Sequence, residues 1–179
     1  MADSWARFPK VVLTAAEMSE AHAVLRARQE FDRDTFVVDR AVSDLANDPD
    51  AMAAEFAVAK WLGVEPDRST DQPAGGTDLV SPRGTTIDVK YRPLYYSNAG
   101  TTRVSRFDIF IHAGKRLNEW GTLLPVTSDV FLQVMGAPPN FMLVGYVWWD
   151  IARLCWDDSC PEPCYHVPRE ALCDVRELL

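Results

Sequence analysis

Early in the chain, apolar residues recur at the spacing of an amphipathic helix. Met18, Ala21 and Leu25 lie three or four positions apart, and they follow Thr14 and Glu17, which have the spacing of a capping box. A capping box satisfies backbone N–H groups at the start of a helix. The pattern therefore predicts an amino-terminal helix over about residues 14–32.

A second helix is predicted from Asp48 to Leu62. Asp48 is a typical N-cap residue, Pro49 suits the first helical position, and Gly63 is typical of the position after a helix end. One acidic residue interrupts the apolar stripe, which consists of Met52, Glu55, Phe56, Ala59 and Leu62. Because an unpaired buried carboxylate is costly, we expect Glu55 to reach water at the edge of the stripe, to pair with a basic group or to bind a cation.

Shorter runs of β type follow these helices. Residues 77–80 and 85–92 flank Ser81-Pro82-Arg83-Gly84, and Pro and Gly in so short a connection predict a β-hairpin. Residues 129–134 and 141–149 also resemble strands, and the second run is apolar enough to be covered on both faces. These runs predict a mixed α/β fold.

Two further segments are less distinctive. Residues 107–112 fit either a strand or the edge of a helix. The tail from Pro168 fits a short amphipathic helix, since Leu172, Val175 and Leu178 recur at helical spacing.

The size and composition of the chain are those of an ordinary globular protein. Its 179 residues suit one domain with a full-sized core, and an apolar content of 47% excludes an intrinsically disordered chain. No apolar run approaches the roughly 18 residues of a membrane span, and the first residues lack the apolar region of a secretory signal. A soluble cytoplasmic protein that does not contact membranes is expected.

Charge is distributed unevenly along the chain. The net charge of −8 argues against a protein that coats nucleic acid. Residues 81–117, however, carry seven basic and two acidic side chains, which places +5 there and −13 on the rest of the chain. Such an asymmetry is compatible with one surface that faces a polyanion, and also with a chance cluster of solvated arginines.

Two acidic residues of the hairpin are expected to come close together. Side chains alternate along a strand, so Asp88 and Lys90 share one face, and the hairpin can bring Asp78 beside Asp88. Neighbouring carboxylates repel unless a cation lies between them, and oxygen ligands favour Mg²⁺ or Mn²⁺ over zinc. The ammonium group of Lys90 could then position a water molecule or stabilise charge on a reacting phosphate.

Asp78, followed after nine residues by Asp88-Val89-Lys90, resembles the signature of the PD-(D/E)XK nuclease superfamily, which has the restriction-endonuclease-like fold. Thr77 stands where the family name has Pro, at a position that varies in the superfamily. A Glu on the preceding helix is also typical, and Glu55 matches it. The resemblance implies one nuclease-like domain over residues 1–179, in which an added amino-terminal helix precedes an αβββαβ core over about 48–150, with a mixed central sheet flanked by helices, and a cysteine-containing tail at 151–179 follows it.

The resemblance also implies a Mg²⁺-dependent deoxyribonuclease that hydrolyses phosphodiester bonds. Asp78, Asp88 and the backbone carbonyl of Val89 would hold the metal, with Mn²⁺ as a substitute. Glu55 would support the metal directly or through water, and Lys90 would orient the attacking water. Four arginines of the basic segment would hold DNA phosphates, namely Arg83, Arg92, Arg103 and Arg106.

The cysteines lie near the carboxyl end of the chain. Cys155, Cys160, Cys164 and His166 could form a zinc site, but their spacing lacks the usual Cys-x2-Cys pair. Small apolar thiols without a metal are the favoured interpretation.

Two other functions stay open from the sequence. A member of the same fold could bind nucleic acid without cleaving it, and an acidic domain could bind another protein. The sequence also leaves open whether the chain forms a homo-oligomer.

Overall fold

The computed structural model describes residues 7–35, 49–70, 77–93, 109–112, 126–158 and 164–179. In these residues the helices are α1 (Ala15–Thr35), α2 (Pro49–Leu62) and α3 (Trp149–Ala152). The strands are β1 (Lys10–Val12), β2 (Leu79–Val80), β3 (Thr86–Pro93), β4 (Ile109–His112), β5 (Val130–Ala137), β6 (Asn140–Trp148), β7 (Trp156–Asp157) and β8 (Cys164–Val167). Two 3-10 helices close the chain, at Arg169–Ala171 and Val175–Leu178.

The described strands form two sheets. The larger has the order β1-β6-β5-β3-β2, and the smaller has the order β4-β8-β7. In the larger sheet β3 and β5 are parallel, and all other neighbours are antiparallel. The predicted mixed α/β architecture with a mixed central sheet is therefore confirmed.

Strand β3 shows the predicted alternation of faces. Ile87 packs in the apolar cluster that contains α2, and Val89 and Tyr91 pack against the same cluster. On the opposite face, Asp88 lies beside Phe131 of β5, which belongs to a second cluster formed with β4 and β8. Asp88 and its neighbour Lys90 are therefore on the face that the smaller sheet partly covers.

Strands β5 and β6 form the centre of the fold. Every residue from 130 to 136 and from 141 to 147 is buried, as the apolar run at 141–149 predicts. The core also draws on segments outside the predicted core region of 48–150. Val11 of β1 and the tail residues Val175 and Leu178 all pack in the main cluster.

Helix α2 is buried on most of its sides. It packs against α1, β1 and β3, and its small alanines allow these elements to approach closely. The buried residues of α2 are Met52, Ala53, Ala54, Phe56, Ala57, Val58, Ala59 and Leu62. The predicted C-cap at Gly63 is confirmed by its φ of 69°, while the predicted N-cap residue Asp48 lies outside the described residues.

The predicted capping box starts α1. The Thr14 N–H donates to Glu17 Oε2 at 2.6 Å, and the Glu17 N–H donates to Thr14 Oγ1 at 3.2 Å. Lys60 of α2 donates to the same Glu17 oxygen at 2.9 Å and to the Val12 carbonyl at 3.0 Å. The Lys60 ammonium and the Thr14 N–H lower the pKa of Glu17 to about 2. One carboxylate thus joins the start of α1, the end of α2 and β1.

Replacing Thr14 with alanine is expected to lower the free energy of unfolding by about 1 kcal/mol, because the Glu17 N–H loses its acceptor. Urea denaturation followed by circular dichroism measures the change. Ser19→Ala on the exposed side of α1 is the matched control and should change stability by less than about 0.5 kcal/mol. Equal losses in the two variants would contradict a capping role.

The β2–β3 hairpin turns where the sequence predicts it. The Ser81 N–H donates to the Thr85 carbonyl at 2.9 Å, and the Gly84 N–H donates to the Ser81 carbonyl at 2.9 Å. Gly84 has a φ of 85°, which a residue with a Cβ rarely adopts. Glycine at position 84 therefore suits the backbone conformation that this turn requires.

The carboxyl-terminal tail differs from its prediction. Instead of one amphipathic α-helix, two 3-10 helices flank Cys173, whose N–H and carbonyl both bond to the backbone of Tyr146 on β6, at 2.8 and 3.2 Å. This extended contact interrupts the helical path. Within the described residues, no helix has the length and apolar character that crossing a membrane requires.

Candidate functional site

The hairpin brings Asp78 against β3. Asp78 directly precedes β2, and its N–H donates to the Ile87 carbonyl at 3.0 Å. Its carboxylate turns back so that Oδ2 accepts the Val89 N–H at 2.6 Å. These two bonds reach the residues on either side of Asp88. The Asp78 carboxylate therefore lies beside the Asp88 segment, as the sequence predicts.

Asp88 and Lys90 form a pair on one face of β3. Lys90 Nζ lies 2.5 Å from Asp88 Oδ1, and the side chains are only 31% and 9% exposed. Lys90 Nζ also lies 5.5 Å from the centre of the Phe131 ring on β5. A pair shielded in this way differs from an exposed surface ion pair, because little water screens its charges.

Glu55 in the middle of α2 faces Arg28 of α1. Arg28 Nη1 lies 3.7 Å from Glu55 Oε2, and the Glu55 side chain is 16% exposed. Of the environments that the sequence allows for Glu55, the structure therefore shows a largely buried carboxylate near a basic group rather than one that extends into water.

Arg28 also holds the loop that follows α2. Its Nη2 donates to Asp67 Oδ2 at 2.9 Å and to the Asp67 carbonyl at 3.2 Å, and its Nε donates to the Ser69 carbonyl at 2.9 Å. The Ser69 N–H and hydroxyl both donate to Asp67 Oδ1, at 2.8 and 2.7 Å. Arg28 thus connects Glu55 to a turn at residues 67–69, which lies between α2 and Asp78 in the sequence.

Two acidic groups of the site, Asp78 and Glu55, have raised pKa values. Burial raises the pKa of Asp78 to about 7, and the charge of Asp88 adds to the effect, while Lys90, the Val89 N–H and Arg28 oppose it. Burial likewise raises the pKa of Glu55 well above its usual range. The charges of Asp78 and Asp88 raise it further, and that of Arg28 lowers it. Three carboxyl groups therefore lie within electrostatic reach of one another.

A divalent cation fits the charge of this site. Buried carboxylates that repel each other bind protons more tightly, and a cation between them would remove that repulsion. No three His, Cys, Asp or Glu side chains of the described residues form a group positioned to hold a metal. Mg²⁺ commonly uses only one or two carboxylates and completes its shell with water and phosphate oxygens. Asp78 and Asp88 could supply that number.

Arg28 is a residue of the site that the motif does not reveal. It lies three positions after Leu25 and seven after Ala21, on the buried stripe of α1. A charged residue on an apolar stripe is the same signal that singles out Glu55. Each helix therefore places an ionisable side chain, Arg28 or Glu55, among buried residues, and the two side chains lie 3.7 Å apart.

The four predicted phosphate-binding arginines have different positions. Arg83 lies in the hairpin turn, where Nη1 donates to the Glu177 carbonyl at 3.1 Å. Arg92 lies on β3 opposite Met135, two residues beyond Lys90 and on the same face by alternation. Arg103 and Arg106 lie outside the described residues.

The described cysteines, Cys155, Cys164 and Cys173, are free thiols. Cys155 donates to the Ile151 carbonyl at 3.7 Å, Cys164 is buried on β8, and Cys160 lies outside the described residues. His166 Nδ1 lies 3.7 Å from Asp157 Oδ2 across the β7–β8 pair. The favoured interpretation of thiols without a metal therefore stays a prediction.

Replacing Arg28 with methionine is expected to lower the free energy of unfolding by about 2 kcal/mol, because Glu55 and Asp67 lose a common partner. Urea denaturation at pH 7 measures the loss. Arg68→Met is the matched control, since Arg68 bonds to Glu20 and Glu65, each at 2.6 Å, at the surface. That variant should change stability little. If both substitutions had the same effect, Arg28 would be an ordinary surface residue.

Comparison of the chain with protein-family models, with curated proteins and with solved structures gave no match, so its function has to be inferred from the residues of this site.

Proposed function

We propose that this chain is a metal-dependent nuclease of the restriction-endonuclease-like fold, which hydrolyses phosphodiester bonds in DNA. One observation carries the proposal. The partly buried Asp78 carboxylate accepts the N–H of Val89, the residue after Asp88, and Lys90 contacts the buried Asp88 carboxylate. Two carboxylates and one ammonium at a shared position are the groups that Mg²⁺-assisted phosphoryl chemistry uses.

The order of elements supports this fold. Helix α2 is followed by the β2–β3 hairpin, then by a long connection, and then by β5 parallel to β3. A helix, a hairpin and a later parallel strand are parts of the αβββαβ core that the resemblance implies. In the long connection, residues 94–108 and 113–125 lie outside the described residues.

Each side chain has a distinct task in the proposed reaction. Asp78 and Asp88, with the Val89 carbonyl, would hold Mg²⁺, which supplies polarisation of the phosphate and a more acidic water. Lys90 would hold the attacking water and stabilise the negative charge that develops on the phosphate. Glu55 would support the metal directly or through water.

Arg28 would keep Glu55 in place in this scheme. The Arg28–Glu55 distance is 3.7 Å, and the other Arg28 contacts anchor the guanidinium to the loop at residues 67–69. A carboxylate held by an anchored guanidinium keeps one orientation when substrate approaches.

A cleavage assay tests the proposed function. Supercoiled plasmid, single- and double-stranded DNA and RNA are incubated with the protein in Mg²⁺, in Mn²⁺ and in EDTA, and the Asp88→Asn variant is assayed beside the wild type. Asp174→Asn is the matched control, because Asp174 forms an exposed pair with Arg176 at 2.8 Å. We expect DNA cleavage in both metals, none in EDTA, and loss of cleavage in Asp88→Asn alone.

Other outcomes would contradict the proposal in distinct ways. Cleavage that persists in EDTA or in Asp88→Asn would exclude the metal site. Salt-dependent DNA binding without cleavage in any metal would favour a non-catalytic nucleic-acid-binding protein. The absence of both cleavage and DNA affinity would favour the acidic interaction domain.

A further inference from the structure

Large apolar side chains are concentrated on the surface between residues 148 and 156. Trp148, Ile151, Leu154 and Trp156 are 43%, 48%, 76% and 47% exposed, and they are four of the seven exposed large hydrophobic residues in the described part of the chain. Trp148 and Ile151 line one cavity, and exposed apolar residues that form one patch mark interaction sites. The proposed nuclease site uses none of these residues.

A cavity opens beside this patch. It has a volume of about 520 Å³ and lies between residues 126–129 and residues 148–151. Trp148 forms one part of its wall and packs edge-on against Tyr146, with ring centres 6.0 Å apart. A tryptophan held in this way offers a fixed apolar surface, and tryptophan is enriched among the residues that dominate binding energy.

The charge around the cavity is negative. Asp129 and Asp150 line it, and residues 126–158 contain four aspartates, no glutamate or lysine, and only one arginine, Arg153. Hydrogen bonds from the Thr86 N–H and hydroxyl lower the pKa of Asp129, so this carboxylate is charged at neutral pH. Asp150 is paired with Arg153 at 3.2 Å, yet its side chain remains 82% exposed.

We propose that the surface formed by Asp129, Trp148, Asp150, Ile151 and Leu154, here named the acidic aromatic surface, docks a basic amphipathic peptide segment of a partner protein. A lysine or arginine side chain of the peptide enters the cavity, where Trp148 contacts its stem and the two aspartates contact its charge. An aliphatic side chain of the peptide lies against Ile151 and Leu154.

Charge distinguishes this occupant from two others. Nucleic acid would bring phosphates against Asp129 and Asp150, which disfavours it. A second copy of this chain in a two-fold dimer would bring the same acidic surface against itself. A basic partner adds a cation beside Asp129 and the exposed Asp150 while it covers Trp148 and Leu154.

A synthetic peptide tests this docking surface. The probe is a fluorescein-labelled peptide of about twelve residues, built from lysine and leucine at helical spacing. Fluorescence anisotropy should show saturable binding to the wild-type protein, with a Kd on the order of tens of micromolar. A peptide with glutamate in place of lysine should not bind, and one with serine in place of leucine should bind at least tenfold more weakly.

Surface variants then assign the binding to this surface. Trp148→Ala and Leu154→Ser should each weaken binding of the lysine–leucine peptide about tenfold, and Asp150→Asn about threefold. Asp174→Asn removes an exposed acidic charge elsewhere and should leave binding unchanged. Leu154 is the most exposed of the four apolar residues, so Leu154→Ser keeps the test valid if Trp148→Ala does not fold.

Three results would overturn the docking proposal. One is a lack of saturable binding, another is equal binding of the glutamate peptide, and the third is unchanged binding in Leu154→Ser. Sedimentation velocity adds a separate check, because a wild-type dimer that Leu154→Ser converts to monomer would identify a second copy as the occupant instead. None of these measurements depends on the cleavage assay, so failure of the nuclease proposal leaves them interpretable.

Discussion

Replacing Lys90 with methionine is expected to lower the rate of Mg²⁺-dependent DNA cleavage by about 10²–10³-fold while the protein remains folded. The Lys90 ammonium contacts Asp88 and is partly shielded from water, so its charge acts through a medium that screens less than bulk solvent. Methionine keeps an apolar side chain of similar length against Phe131. Single-turnover cleavage of a labelled oligonucleotide at saturating metal measures the rate.

Lys60→Met provides the matched control for this substitution. Lys60 also contacts a carboxylate, Glu17, at 2.9 Å, but it lies at the end of α2 and joins structural elements. We expect Lys60→Met to lower stability and to leave the cleavage rate unchanged. If both lysine variants cleaved at the wild-type rate, Lys90 would have no catalytic role, and the Asp88–Lys90 pair would serve structure alone.

The second large effect concerns stability and pH. Burial and the neighbouring charge of Asp88 raise the pKa of Asp78 from 3.8 to about 7 in the folded protein. Between these values the folded state holds a proton that the unfolded state has released, so the free energy of unfolding falls as pH rises. One pKa unit corresponds to about 1.4 kcal/mol, so this group alone lowers stability by on the order of 4 kcal/mol between pH 3 and pH 8.

Asp78→Asn removes this dependence, because an amide does not titrate and its oxygen can still accept the Val89 N–H. Urea denaturation from pH 4 to pH 8 without metal should therefore show a gain in stability at pH 8 relative to the wild type. Above pH 7, Mg²⁺ should stabilise the wild type and have little effect on Asp78→Asn. A variant that is no more stable than the wild type at pH 8 would contradict the raised pKa.

Asp129→Asn is a control with the opposite sign. Hydrogen bonds from Thr86 lower the pKa of Asp129 in the folded protein, so its contribution is present at neutral pH and is lost as pH falls. The Asp129→Asn variant should thus be less stable than the wild type at pH 8, where Asp78→Asn is more stable. The signs are opposite because burial disfavours the charged form of Asp78, whereas hydrogen bonds from Thr86 favour the charged form of Asp129.

Local signals predict much of the fold. The Thr14–Glu17 capping box, the glycine that ends α2 and the β2–β3 hairpin all follow from short-range rules, and each forms where the sequence predicts it. Such features depend on contacts within a few residues. They are therefore visible in a single sequence.

Contacts between segments that are distant in the sequence are not predicted. β1 is three residues long and joins the sheet by pairing with β6, which lies far from it in the sequence. In the tail, Cys173 bonds to Tyr146 instead of continuing a helix. In both cases a partner distant in sequence decides the conformation, and periodicity carries no information about that partner.

In the candidate site, too, the local features are predicted from the sequence and the long-range contacts are not. Alternation along β3 predicts that Asp88 and Lys90 share a face, and the hairpin predicts the approach of Asp78. The burial of the Asp88–Lys90 pair and the Arg28–Glu55 contact depend on how β5 and α1 pack, so the motif cannot reveal them.

The parallel pairing of β3 with β5 makes part of the candidate site depend on a contact between distant parts of the chain. β5 and β6 follow each other directly in sequence, whereas residues 94–129 separate β3 from its partner β5. Longer loops cost more entropy and close more slowly. The approach of Asp78 to Asp88 is local, but Lys90 meets Phe131 only when β3 and β5 have paired. The candidate site is therefore complete only when a long-range strand pairing and a local hairpin are both in place, so a substitution that weakens the β3–β5 pairing would disturb Lys90 more than Asp78.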